Sequence, residues 1–167
     1  MSEAYSRIAA IREFDTLPLP KIKDMDGLSV LRAMMNGDLP PPPIGRTLGF
    51  ILVEADEGRA VFKGMPSFDY MNPLGTVHGG WASTLLDSAL GCAVHTTTKP
   101  GEAYTTVEFK VNLVRPIMPE TGEVTCEGVI VHRGSRIATS EATLKDASGK
   151  LLAHGSETCI IFPMKTG

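Results

Sequence analysis

The segment WASTLLDSALGCAV, Trp81–Val94, constrains the fold more than any other part of the chain. Read as a helix, it places Trp81, Ala82, Leu85, Leu86, Ala89, Leu90, Cys92, Ala93 and Val94 around almost the whole circumference. A helix that is apolar nearly all round is a buried helix. The run is too short for the roughly 20 residues of a membrane span, and it carries Asp87 near its middle. The rest of the chain must therefore enclose it.

The material to do so lies on both sides. RTLGFILVEAD and GRAVFKGMP read as a hairpin before the helix. AYTTVEFKVNLVRP, GEVTCEGVIVHRG, RIATSEATLKDA and KLLAHGSETCIIF follow it. In the first of these four, Val107, Phe109, Val111 and Leu113 alternate with Thr106, Glu108, Lys110 and Asn112, which predicts a half-buried strand. HRGS and DASGK are short Gly-containing links suited to antiparallel hairpins. The expected order is two strands, one long helix, then four strands. An antiparallel sheet buries one face, and the apolar helix is what it can wrap.

Residues 1–45 form a lead to this core. DMDGLSVLRAMMNGDL predicts one short helix, with Leu28, Leu31, Met34 and Met35 at helical spacing and Gly37 as its stop. Pro40–Pro43 predict an extended connector. The lead is expected to pack as a cover on the core rather than to act as a lid. Residues 46–167 are then the main domain.

Composition excludes several function classes. A net charge of -3 over 167 residues gives no basic field for nucleic acid or an anionic membrane surface. Glu3, Arg7, Arg12 and Glu13 break up the N-terminal apolar residues, unlike a signal peptide. Cys92, Cys126 and Cys159 are odd in number and lie in apolar stretches, so reduced core thiols and a cytoplasmic location are expected. His78, His95, His132 and His154 are far apart, and no metal-ligand or phosphate-loop spacing occurs.

Two features of the helix point to chemistry. His78-Gly79-Gly80 strips side chains from its start, where unpaired N–H groups and the positive end of the helix dipole attract developing negative charge. A tight turn into the helix would use the same glycines. Asp87 must be paired, neutral, or open to a polar cavity, because desolvating a lone carboxylate is costly. It is read as a nucleophile or general base, against a purely structural buried acid. Gly79 and Asp87 are eight residues apart, roughly 12 Å along one helix. One reacting carbonyl cannot touch both. A two-fold dimer with antiparallel helices would bring them together in two identical composite sites.

The segments NPLGTVHGGWASTLLDSA, YTTVEFKVNLVRP and GEVTCEGVIVHRGSRIATSEATLKDASGKLLAHGS, in this order, resemble the hotdog-fold acyl-CoA thioesterases of the phenylacetate-degradation (PaaI) type. The resemblance covers about Gly45 to Phe162. It implies an α+β hotdog fold, with one long central helix wrapped by an antiparallel sheet of about six strands. It also implies dimers, often paired into tetramers, and an acyl-CoA substrate with no cofactor, nucleic acid or membrane partner.

Site residues follow from that resemblance. Asn72 takes the place of the Asn six residues before the motif His, and it is expected to donate to or position the carbonyl. His78 is the motif His, expected to orient Asn72 and the loop, or equally to make a simple structural hydrogen bond, rather than to act as base. Gly79 supplies the N–H that polarises the thioester carbonyl, with Gly80 beside it. Asp87 is the acid nine positions after the His, and its choice between nucleophile and general base stays open. Thr106, adjacent to Thr105, corresponds to the hydroxyl that holds water or the acid. The HRGSR turn matches a region that meets the CoA nucleotide, making His132, Arg133, Gly134, Ser135 and Arg136 candidate contacts, or equally a solvated hairpin tip. Trp81, Phe109, Met71 and Tyr70 are read equally as acyl-pocket lining or plain core. Two rivals are an acyl-thioester dehydratase and a non-catalytic acyl-CoA-binding regulatory module. The acid nine residues after the His argues against the first. Retention of that carboxylate argues against the second.

Overall fold

In the computed structural model, which describes residues 3–164, the expected long helix spans Gly79–His95 (α5). Leu85, Leu86, Ala89, Leu90, Ala93 and Val94 within it are completely buried. Burying a leucine side chain stabilises by about 1.5–3 kcal/mol, so this one element anchors the core. Its polar residues are made compatible with burial locally. The hydroxyls of Ser83, Thr84 and Ser88 donate to carbonyls one turn back, at 2.8–2.9 Å. At the C-terminal end the hydroxyls of Thr96, Thr97 and Thr98 donate to the carbonyls of Ala93, Val94 and His95, at 2.7–2.8 Å. They add to backbone bonds at the helix end, where the Thr97 and Thr98 N–H groups donate to the Val94 and His95 carbonyls.

Six strands enclose the helix: β1 (Phe50–Asp56), β2 (Arg59–Gly64), β3 (Glu102–Leu113), β4 (Val124–Arg133), β5 (Ile137–Lys145) and β6 (Leu151–Pro163). They form one antiparallel sheet in the order β1-β2-β4-β5-β6-β3. The two-strand, helix, four-strand order is therefore as expected. β2, β3, β4, β5 and β6 all contact α5, so the sheet curls around the helix. The closest approach is at Gly128 on β4, where an added Cβ would lie 2.2 Å from the Ala89 carbonyl oxygen.

The lead packs on this core as a cover. It holds helices α1 (Glu3–Ala10), α2 (Leu19–Ile22), α3 (Gly27–Asn36) and α4 (Pro43–Leu48). α3 is the helix expected from the 24–39 pattern. Asp26 caps its start by accepting from the Ser29 N–H at 2.8 Å, and Gly37 ends it at φ 86°. Leu31 joins the main core, while Ile22, Val30 and Leu39 form a satellite cluster. α1, α3 and α4 rest on β1.

Two expectations need correction. The proline run is extended only through Pro42, because Pro43 opens α4 as a first-turn proline; the strand expected from Arg46 therefore starts at Phe50. The apolar alternation in β3 also does not describe a simply buried face. Val107, Phe109 and Leu113 are 57%, 39% and 57% exposed, since β3 is an edge strand. A bulge at Val107 shifts the register, with Thr106 opposite Cys159 but Glu108 opposite Thr158. The extra residue reverses the parity of the strand. Thr106 and Phe109 consequently lie on the same, helix-facing side of the sheet.

Candidate active site

The start of α5 carries the first half of the site. Met71 and Val77 close the loop before it as an isolated antiparallel bridge. Asn72 organises that loop from within. Its Nδ2 donates to Thr76 Oγ1 at 2.7 Å, and its Oδ1 accepts from the Leu74 N–H at 2.8 Å. His78 is the helix N-cap. Its Nδ1 accepts from the Gly80 N–H at 2.9 Å, which places the ring proton on Nε2. The imidazole thus makes a structural hydrogen bond at the helix start, the second of the two roles considered for it. Gly80 makes this closure feasible, because a Cβ there would meet His78 Nδ1 at 2.9 Å.

With Gly80 engaged by His78, the neighbouring Gly79 N–H has no hydrogen-bond partner among the described residues. Gly79 and Asn72 line a common pocket of about 270 Å³ with Thr76, Leu113 and Arg115 on its wall. A free amide at a helix N-terminus is a donor suited to an oxyanion. Asp87 does not line this pocket.

Asp87 lies two turns further along α5 and is partly buried. It interacts with Thr106 on β3 and Glu157 on β6. Desolvation raises its carboxyl above the ordinary range, and the neighbouring Thr106 and Glu157 side chains pull the other way. Thr106 faces the helix, while Thr105 is exposed. The structure thus brings Thr106 and Asp87 together, and separately Asn72 and Gly79. It does not bring the two groups together within one chain.

Glu157 escaped the sequence reading. It is 1% exposed and accepts from Thr106 Oγ1 at 2.9 Å and Cys159 Sγ at 2.8 Å, both through Oε1. Its Oε2 is buried without a partner. Burial pushes the carboxyl up to about 7, and the nearby Asp87 adds to that rise. A signal was present in the sequence. Ala153, Gly155, Cys159 and Ile161 share the parity of Glu157, whereas polar His154, Ser156 and Thr158 take the other.

The HRGSR residues sit at the tip between β4 and β5. His132, Ser135 and Arg136 are exposed. The Gly134 N–H donates to the Ile137 carbonyl at 2.8 Å and closes the turn. Arg133 is committed within the chain, paired with Glu102 at 2.5 Å and donating to the Gly134 carbonyl. Of the residues considered for the acyl pocket, Trp81 is plain core: its indole N–H donates to the Leu48 carbonyl at 2.8 Å and it stacks on Tyr70.

Among the described residues no helix is long and apolar enough to cross a membrane. Comparison with known proteins agrees with the geometry. The model of the thioesterase superfamily matches residues 74–153. An esterase candidate of Saccharolobus solfataricus is 30% identical over 100 residues, covering 60% of this chain and 69% of that protein. Human acyl-coenzyme A thioesterase 13 is 29% identical over 116 residues, covering 68% and 81%. A thioesterase family protein from Silicibacter pomeroyi superposes with TM-score 0.72 at 25% identity, covering 83% and 99%. The E. coli PaaI protein of the phenylacetic acid degradation operon shares the fold, with TM-score 0.70 at 20% identity over 85% and 96%. An α5 enclosed by a six-stranded antiparallel sheet is thus the local form of a shared architecture, and the chain belongs to the thioesterase superfamily.

Proposed function

We propose that the chain is an acyl-CoA thioesterase with composite active sites formed by two copies, and that residues 46–167 carry the activity while residues 1–45 cover the core. The observation that carries this reading is the separation just described: the Gly79 amide and Asn72 share a pocket that Asp87 of the same chain does not reach. A second copy related by a two-fold axis supplies the missing acid. The edge strand β3, twelve residues long with Val107, Phe109 and Leu113 exposed, is the kind of edge that natural proteins cover. The copies work in the cytoplasm as a dimer, with room for pairing into a tetramer.

The reaction follows from these groups. The thioester carbonyl oxygen sits against the Gly79 N–H, and Asn72 holds the loop that forms the pocket. Asp87 of the other copy takes a proton from water. The water oxygen bonds to the carbonyl carbon, and the C=O electron pair moves onto the oxygen held by Gly79. Removing one such donor typically costs about 3–4 kcal/mol in the barrier. Collapse of the intermediate breaks the C–S bond, and the departing sulfur takes the proton from Asp87. Free acid and CoA thiol result. A raised carboxyl suits this role, since a base works best with a pKa near the working pH. Arg136, Ser135 and His132 at the exposed hairpin tip contact the CoA nucleotide, with Gly134 shaping the turn and Arg133 held to Glu102.

Mixed dimers test the composite site. Asp87→Asn and Asn72→Ala chains are each expected to be nearly inactive. A hybrid of the two has one site with both residues intact and one with neither. Random re-association should therefore recover about a quarter of wild-type CoA release. Hybrids as inactive as both parents would overturn the composite arrangement.

A further inference from the structure

Glu157 is a buried acid with no role in the reaction as just drawn. Its surroundings are specific. α5 contributes Asp87, and Cys92 lies nearby on the same helix. β3 contributes Thr106 and Tyr104, and β6 contributes Cys159. Across the sheet Glu157 pairs with Ser140 of β5 and Phe109 of β3. Ser140 spends its hydroxyl on the Leu90 carbonyl. Burial raises the thiols of Cys92 and Cys159 and the Tyr104 phenol, so all three are neutral at ordinary pH. His95, its ring tilted against Tyr104 at 5.2 Å between centroids, is kept neutral by burial, which pulls it down to about 4. Among the described residues neither Asp87 nor Glu157 has a cationic partner.

The donors settle how the Glu157 carboxyl is used. Oε1 accepts two hydrogen bonds, one from Thr106 and one from Cys159. That is the pattern of a carbonyl oxygen. Oε2 receives none, although it is buried. A buried oxygen without a donor is costly as part of a carboxylate but is satisfied as a hydroxyl with an acceptor beside it. Asp87 neighbours the same carboxyl and interacts with it. Room for the contact comes from Gly91, one turn after Asp87. A Cβ there would lie 3.3 Å from the Tyr104 ring and 3.6 Å from Glu157 Oε1.

We propose that Glu157 is a positioning residue for Asp87: it carries a proton on Oε2 and donates it as a hydrogen bond to the Asp87 carboxylate, so the two carboxyls hold one proton between them. The idea rests on the thioesterase reading for the task of Asp87, but not for the pairing itself. Two carboxyls in contact cannot both ionise readily, so the first proton lost leaves the charge on the better-hydrated member. Asp87 is the more exposed of the two. Glu157 then fixes the orientation of the base and keeps a single negative charge in the cluster. When the second proton leaves, the hydrogen bond becomes a repulsion and the base loses its anchor.

Two measurements test this. In protein with carboxyl-labelled glutamate, the Glu157 side-chain carbon is followed by NMR against pH, in wild type and in Asp87→Asn. It should titrate near neutrality in wild type, and at a pH lower by about one or more in the variant, where the neighbouring charge is gone. A Glu157 carboxyl already ionised at about pH 5 in wild type, or unchanged by Asp87→Asn, would overturn the pairing. The second is the pH profile of acyl-CoA hydrolysis. Glu157→Gln keeps a donor on an isosteric side chain, so it should retain kcat within about tenfold and lose the alkaline fall that wild type shows. Glu157→Val should lose about 10- to 100-fold in kcat with KM little changed, the effect of a hydrogen bond to a charged group. Matching profiles for Glu157→Gln and wild type would refute the positioning role. A wild type that hydrolyses no acyl-CoA would refute the functional reading instead, and the NMR titration would still decide the pairing.

Discussion

Glu157 makes the folded protein sensitive to pH in a direction opposite to that of most carboxylates. Its carboxyl rises from an ordinary 4.5 to about 7 on folding. Between those values the folded state binds a proton that the unfolded chain has released. Stability therefore falls as pH rises through this window. Below about 4.5 both states are protonated and there is no penalty. Above about 7 both are ionised and the full penalty applies, roughly 3 kcal/mol. That is a large share of the 5–15 kcal/mol that holds a domain folded. Asp87, also raised, adds in the same sense, whereas Asp26 and Glu102 are lowered and act in the opposite one. A direct pH scan of the wild type would mix these. Glu157→Gln removes this group together with its coupling to Asp87, while Asp26 and Glu102 remain in both proteins. Urea unfolding followed by far-UV circular dichroism, at about pH 5 and about pH 8 and at fixed protomer concentration, supplies the comparison. The variant should gain on wild type by roughly 3 kcal/mol between the two conditions. Parallel stability curves, or a variant that loses ground at the higher pH, would refute the protonated Glu157.

Three further outcomes follow from contacts elsewhere. Gly128→Ala drives a Cβ to 2.2 Å from the Ala89 carbonyl oxygen, with backbone on both sides, and should cost roughly 3 kcal/mol or more in thermal and urea unfolding. Gly80→Ala pushes into His78 Nδ1, so the N-cap hydrogen bond should be lost for about 1 kcal/mol of stability, together with a fall in kcat as the neighbouring Gly79 amide shifts. Arg136→Ala removes an exposed cation at the hairpin tip and should raise the KM for acyl-CoA a few-fold with kcat unchanged, an effect that shrinks at high salt as exposed-charge contacts do.

What the sequence made legible was whatever repeats with a fixed period or breaks at a residue with one dominant use. The all-round apolar pattern from Trp81 to Val94 announced a buried helix, and Gly37 and the Gly-containing hairpins marked ends where the structure has them. The strands that wrap the helix were countable for the same reason. The bulge at Val107 was not legible, because an extra residue leaves no mark in a period-two pattern. Its consequence is large: without it Thr106 and Phe109 would fall on opposite faces, and Thr106 would miss Asp87. Pro43 was ambiguous in kind, since a proline serves an extended run and a first helical turn equally. The choice between the two roles of His78 was not legible, as capping of Gly80 depends on a ring orientation that spacing does not encode. Glu157 lies off the helix whose acid marks the site. A charged residue in the buried parity of a strand was the available sign.

The central claim is that this chain hydrolyses acyl-CoA thioesters with Asp87 as its base. The most direct measurement is release of free CoA thiol from a panel of aromatic, medium-chain and long-chain acyl-CoAs, with wild type and Asp87→Asn compared as dimers of verified fold. The account predicts release by wild type, with one acyl class preferred, and a rate lower by about 10²–10⁴-fold in Asp87→Asn. Wild type that binds these acyl-CoAs without releasing thiol, or a folded dimeric Asp87→Asn that releases it at the wild-type rate, would contradict it.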